Sequence, residues 1–410
     1  MTRDADEYND PYKIDIRLED DGLKRYFEKG LSALLADEHF LLLYVPENNE
    51  AKMQIIRPAS DPYHRKRMIK MINEAGGIPS FYYALSHLWG LTKDHRYCWN
   101  DIGKYVDDEE GQPVNPVSMR PEKRDALLAL LNNHRESYWW IDVLCARTDT
   151  PLDIMGNIYA CCLECIAMVD CKLSLIQEIH PMLDVYKVKE LCRINGISAD
   201  TRVKDLSDEQ LCEITFPQLL KCLDIFFQSE WWQRVWTWQE MALPVGCVRF
   251  IAETDTRQLQ TSTITVDDIL EFGKEFFYSR LSVYSDFGRL FHGVKSNIES
   301  IERARTSNSY RIIDTKPTIR FQNLLISLMS SKRRCYDPAD YVYGVLGMMQ
   351  IKIPRMNDPN AVWWYLLSKL DDLYPLESRS WMDRADEIDL RKVEAIDDVY
   401  MELSLIHSGL

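Results

Sequence analysis

The chain has 410 residues, 46% of them hydrophobic and 28% charged, with 49 Lys+Arg against 64 Asp+Glu for a formal charge of −15. That length predicts two or three domains, able to bury about three-quarters of the surface the unfolded chain exposes. The composition excludes a disordered or collagenous chain, and the acidic balance argues against coating nucleic acid or an anionic membrane, both of which reward clustered positive charge.

The basic runs His64–Arg67 and Lys332–Arg334 are too short to overturn that balance. No stretch reaches the roughly 20 apolar residues a membrane helix needs; Ile158 to Ile176 is interrupted by Glu164, Asp170 and Lys172. The acidic start lacks the apolar core of a signal peptide. The 11 cysteines, an odd number, therefore read as reduced thiols, and the expected location is cytoplasmic.

In chain order, a polar start expected to fray leads to a helix over Leu23–Leu35. A β-pair follows, Phe40–Val45 and Lys52–Arg57 about a turn at 46–49, and then a short helix ended by Gly76-Gly77. Phe81–Ser86 reads as a strand, Lys93–Pro121 as a long loop, and Glu122–Asn132 as a helix with Ala126, Leu127, Leu130 and Leu131 at helical spacing. Tyr138–Leu144 is strand-like and rich in β-formers, with Asp142 inside the apolar run. Thr150-Pro151 looks like a helix start, Cys165–Val169 like a second buried strand, and 171–205 like a long insertion. Phe216–Phe227 is helical in pattern. Ser229 is placed to cap a further helix that carries Trp232, Val235, Trp236 and Gln239 and closes at Pro244. After the strand Val248–Ile251 the remainder is mostly helical, over Val266–Phe277, Phe321–Ser331 and Val362–Leu373. Strands alternating with helices imply a parallel sheet.

Four segments in this order resemble one family. They are Tyr83–Gly90 (YALSHLWG), Trp140–Cys145 followed by Ile154–Tyr159, Trp232–Glu240 (WQRVWTWQE), and Arg334–Gly347. The first three are similar to the blocks of the fungal heterokaryon-incompatibility (HET) domain, and the fourth to a segment downstream of it. The resemblance implies an α/β fold distantly like that of Toll/interleukin-1 receptor (TIR) domains, some of which hydrolyse NAD with a Glu four residues after a Trp. Trp236 and Glu240 match that spacing, so Glu240 is the implied catalytic residue. Two stretches depart from the family pattern, Ala146-Arg147-Thr148 after Cys145 and Val169-Asp170 after the next strand. Both fall at strand ends, where open α/β sheets bind ligands.

The chemistry is coherent. Breaking the nicotinamide–ribose bond builds oxocarbenium character and releases a neutral leaving group, so one placed carboxylate suffices. The expected ligand-binding set is Ser86, His87, Trp89, Gly90, Asp142, Arg147, Arg234 and Trp236, with Arg147 or Arg234 suited to a pyrophosphate. Plainer readings stand beside these: a salt-bridged helix residue for Glu240, core packing for Trp232 and Trp236, a turn for Trp89-Gly90, and a loop-holding role for Asp142. A Cys145–His87–Asp142 hydrolase lacks any sign of an activated thiolate. The lone C-x-x-C at Cys162–Cys165 has no second pair to complete a zinc site, and no metal is expected.

The fold class expected is α/β, a mainly parallel sheet flanked by helices (TIR-like). The divisions expected are an α+β extension over 1–79, the HET domain over 80–260, and a mostly helical region over 261–410. The implied function is a signalling or cell-death effector in fungal self/non-self recognition, acting as a non-catalytic interaction module. The alternative is an NAD-hydrolysing enzyme using Glu240. No cofactor is expected, and NAD enters only as that alternative's substrate. A protein partner or self-association is expected, with no nucleic acid and no membrane span; a nucleotide stays open as a ligand.

Overall fold

The computed structural model describes residues 12–48, 50–90, 95–194, 208–256, 263–279, 288–312, 317–329, 331–376 and 380–408. Among the described residues the strands are β1 (Leu42–Val45), β2 (Met53–Ile56), β3 (Tyr82–His87), β4 (Cys98–Trp99), β5 (Val106–Asp107), β6 (Val117–Ser118), β7 (Ser137–Ile141), β8 (Glu164–Val169), β9 (Cys247–Ala252) and β10 (Ile264–Thr265). Eight of them form one sheet in the order β10-β9-β8-β3-β7-β1-β2-β5, while β4 and β6 pair separately. The centre, β9-β8-β3-β7, is parallel throughout. Antiparallel pairs flank it, β1 on β7 and β10 on β9.

Sequence and position agree. The central strands are buried almost end to end, as expected for parallel strands covered by helices on both faces. Because side chains alternate along a strand, Tyr82, Ala84 and Ser86 of β3 face one side. There the Tyr82 hydroxyl donates to the Ile158 carbonyl of the helix Ile154–Ala160 at 2.6 Å. Tyr83, Leu85 and His87 face the other side, where Tyr83 stacks on Trp139 and meets His134 beside the helix Pro121–Asn133. The C-terminal region is helical, with Val266–Ser279, Gly288–Ile312, Pro317–Met329, Pro359–Leu373 and Ile396–Ser408. The divisions expected near residues 80 and 260 both fall between paired strands, since β1 pairs with β7 and β10 with β9.

Several local expectations change. The strand expected over Tyr138–Leu144 stops at Ile141, and Asp142–Cys145 makes one helical turn, so Asp142 stands just past the strand rather than within it. Thr150 does not cap a helix. Its hydroxyl oxygen accepts from the Arg147 N–H at 2.8 Å, and the helix begins at Ile154. The long loop contains β4, β5 and β6, and the insertion contains the helix Leu173–Ile194. The start at 1–11, Asn49 of the turn, 93–94 of the loop and 195–205 of the insertion lie outside the described residues.

The helix expected from Ser229 to Pro244 is two short helices, Glu230–Gln233 and Thr237–Ala242, with Arg234 extended between them. A distant piece of backbone causes the break. Arg334 N–H donates to Gln233 O at 2.6 Å, and Val235 N–H donates to Arg334 O at 3.0 Å. Nor is Ser229 the cap, since its hydroxyl donates to Phe226 O at 2.9 Å. Asp170, at the end of β8, instead accepts from the Glu230 and Trp231 N–H groups at 3.0 Å each. A second close approach ties the C-terminal region down: a Cβ on Gly156 would sit 2.6 Å from Gly347 Cα. Only bare backbone fits at that crossing.

Candidate functional site

The carboxyl ends of the parallel strands carry Ser86 and His87 on β3, Asp142 after β7, Asp170 after β8 and Glu253 after β9. Two clusters grow from β3. On one face the Ser86 hydroxyl donates to Glu240 Oε2 and accepts from Trp231 Nε1–H at 2.8 Å. The Tyr159 hydroxyl lies near enough to Glu240 to favour its charged form. Asp170 fixes Trp231 by capping its helix, and the short helix Thr237–Ala242 delivers Glu240. Glu240 is 6% exposed, and Ser86 and Tyr159 are sealed. Burial raises the Glu240 carboxyl to about 7, with Asp142 adding to the rise and Ser86, Arg234 and Tyr159 opposing it.

On the other face His87 Nε2 lies 3.0 Å from Asp142 Oδ1, and His87 Nδ1 lies 2.9 Å from the Leu88 carbonyl. Both ring nitrogens thus face oxygen atoms. Asp142 also accepts from Trp89 Nε1–H at 2.5 Å and from Val143 N–H at 2.7 Å. Burial works against the Asp142 anion, but His87, Trp89 and Val143 outweigh it and hold the carboxyl below its usual range. Trp89 is 37% exposed, so this cluster reaches the surface.

Other expected residues are placed elsewhere. Gly90 serves a backbone crossing: a Cβ there would run into Tyr97 O and Met119 N. Arg147 is committed to Glu109 at 3.0 Å and to Leu144 O at 2.5 Å, not to Glu240. Trp236 stands just before the helix that holds Glu240, and its indole lies near enough to Asp340 of the fourth segment to favour that carboxyl's charged form. Arg234 lies close enough to influence the charge of both Glu240 and Asp340. Two cavities among the described residues leave Glu240 outside their linings; the larger, about 750 Å³, is lined by Arg25, Lys29, Asn157, Gly347 and Lys352, among others.

The remaining chemistry reads as structural. Burial pushes the Cys145 thiol up to about 12, and it bonds Trp139 O, so a Cys145–His87 hydrolase is not assembled. Cys162 and Cys165 are buried free thiols, and no metal-holding group appears among the described residues.

Three residues escaped sequence reading. Tyr159 and Trp231 lie inside or beside the matched blocks but carry no catalytic spacing. Lys123 is sealed, donates to Leu88 O and lies 3.5 Å from Glu253. Burial lowers its ammonium to about 8, and the nearby Glu253 limits the drop. Its signal was present in the sequence: Lys123 shares the helical stripe of Ala126, Leu127 and Leu130, so a charge was heading inward.

Residues 82–240 match the family model described as Heterokaryon incompatibility protein (HET). The match runs from the first residue of β3 to Glu240 itself, and this stretch is a HET domain. That stretch carries the three central parallel strands β3, β7 and β8 of the α/β sheet, and a helical C-terminal region follows it. No curated protein and no solved structure matches it. Among the described residues no helix is long and apolar enough to cross a membrane.

Proposed function

We propose that this HET-domain protein acts as a signalling module in self/non-self recognition, working through a protein partner or self-association rather than through catalysis. The observation that carries this reading is the state of Glu240. The carboxyl is buried, takes a hydrogen bond from Ser86, which Trp231 holds in turn, and is raised to about 7. A carboxylate that must face an oxocarbenium needs its charge and an open side. This one is arranged as a keystone between β3 and the helix Thr237–Ala242. Ser86, Glu240 and Trp231 then serve to fix the shape of the rim at which a partner docks.

NAD hydrolysis is the second reading. It is favoured by the nearness of Asp142, whose charge Glu240 feels, and by the half-exposed Trp89 beside it, an indole able to stack on a planar ring. This reading requires the rim to open.

One experiment separates the two. The full chain and Glu240→Gln are expressed in a fungal host and scored for growth arrest, and the purified proteins are incubated with NAD at rising protein concentration. The module predicts arrest by both chains and no nicotinamide at any concentration. Nicotinamide release that disappears in Glu240→Gln, together with lost arrest, overturns it.

A further inference from the structure

Where the HET domain meets the C-terminal helices there is a second, smaller cavity of about 90 Å³. Its wall includes Trp232, Trp238, Asn297, Ser331, Lys332 and Arg333, and no Asp or Glu lines it. In a chain of net charge −15 that is a notable exclusion. Arg333 is 3% exposed and makes no ion pair among the described residues. One of its nitrogens, Nη1, donates to Arg234 O at 2.7 Å and to Thr237 Oγ1 at 2.6 Å. The guanidinium lies 4.3 Å from the Trp238 ring centroid and 5.6 Å from that of Trp232.

Both of those indoles are themselves incomplete. Trp232 Nε1 and Trp238 Nε1 are buried with no hydrogen-bond partner. Buried donors in native proteins are almost always satisfied, by protein, water or an ion. A buried cation without a carboxylate is more costly still. Burial lowers the Arg333 guanidinium to about 9, with Glu240 opposing from a distance, so it remains cationic at neutral pH. Glu240 is near neutral itself and cannot serve as a full counter-charge.

We propose that this cavity is a binding site for a small inorganic anion, held by the Arg333 guanidinium and the Trp232 and Trp238 indole N–H groups. The volume takes a handful of waters or one halide or phosphate-sized ion, and it is too small for a nucleotide. The site is independent of whether Glu240 is catalytic. Because Arg333 also holds the Arg234 carbonyl and Thr237, a bound anion would brace the break between the two short helices and so the helix that carries Glu240.

The test uses the full chain. Crystals are soaked in sodium bromide, and, separately, melting temperature is followed against sodium bromide and inorganic phosphate at constant ionic strength. The expected result is a bromide anomalous peak inside the cavity and a saturable rise in melting temperature with at least one of the two anions. Trp238→Phe keeps a ring over Arg333 but removes one donor, and should weaken binding roughly tenfold, the worth of one hydrogen bond to a charged group. Arg333→Met should abolish it; if that variant fails to fold, Trp238→Phe decides. Water alone in the cavity of bromide-soaked crystals, or a Trp238→Phe chain with unchanged affinity, overturns the proposal.

Discussion

Ser86 and His87 are adjacent on β3, yet each leads to a carboxylate in a different condition. Ser86 points to a sealed acid, Glu240, whose charged form is opposed by burial and by Asp142. His87 points to Asp142, which keeps its charge because a histidine, an indole and a backbone N–H all face it. The strand's two-residue period sends neighbouring side chains to opposite faces, and the partners waiting on each face set the chemistry. Burial alone does not fix a carboxyl's protonation; the balance between burial and donors does.

The largest effect expected falls on the sealed side. Trp231 is fully buried and supports Ser86, so Trp231→Ala should cost about 3–5 kcal/mol, read from urea unfolding. A loss under about 1 kcal/mol would mean that the Ser86–Glu240 side needs no roof.

Next comes pH. The folded Glu240 binds its proton more tightly than the unfolded one, being raised from 4.5 to about 7. Its stabilising contribution is therefore complete below pH 4.5 and is lost as pH rises through about 7. Glu240→Gln should flatten that slope and leave the protein roughly 2–3 kcal/mol more stable than wild type at pH 8, with little difference at pH 4. Equal pH profiles for the two chains would contradict a neutral, sealed acid.

Asp142 has the opposite sign. Its carboxyl is lowered, so its contribution is present above the ordinary carboxylate range and is lost as pH falls through the lower folded value. Asp142→Asn should cost about 1.5–3 kcal/mol at pH 7, the range for hydrogen bonds to a charged group, and the difference should shrink in acid. A stability gap that persists unchanged in acid would mean that the charge on Asp142 does not stabilise the fold. The smallest change is expected at Arg147, an accessible partner of Glu109, where Arg147→Ala should cost under about 1 kcal/mol by thermal melt.

The centre of the sheet was readable because its signals are local. Tyr82–His87, Ser137–Ile141, Glu164–Val169 and Cys247–Ala252 each show a short apolar run with β-formers. The candidate site was readable as a few residues that lie near one another, and not in its arrangement. Ser86, Asp142 and Glu240 do meet in one region, although the partner of Ser86 lies 154 residues away. The spacing of Trp236 and Glu240 promised a shared helical face. The helix is broken there because Arg334 supplies a backbone pairing from a distant segment, and no local pattern encodes that competitor. The cap on Trp231's helix was misplaced for the same reason: Asp170 reaches it from another strand, while the nearer Ser229 turns back to Phe226. Lys123 was legible in principle, as a charge set on an apolar stripe.

The pairing of Gln233 and Val235 with Arg334 has a practical consequence for anyone who trims this protein. A fragment ending soon after Glu240 would look intact by family criteria, yet it would lose the clasp that sets the angle between its two last helical turns. Its two bare tryptophans, 232 and 238, would lose the cation laid across them as well. The portable unit is therefore larger than the recognisable one, and its outer limit is drawn by contacts that belong to the far end of the chain.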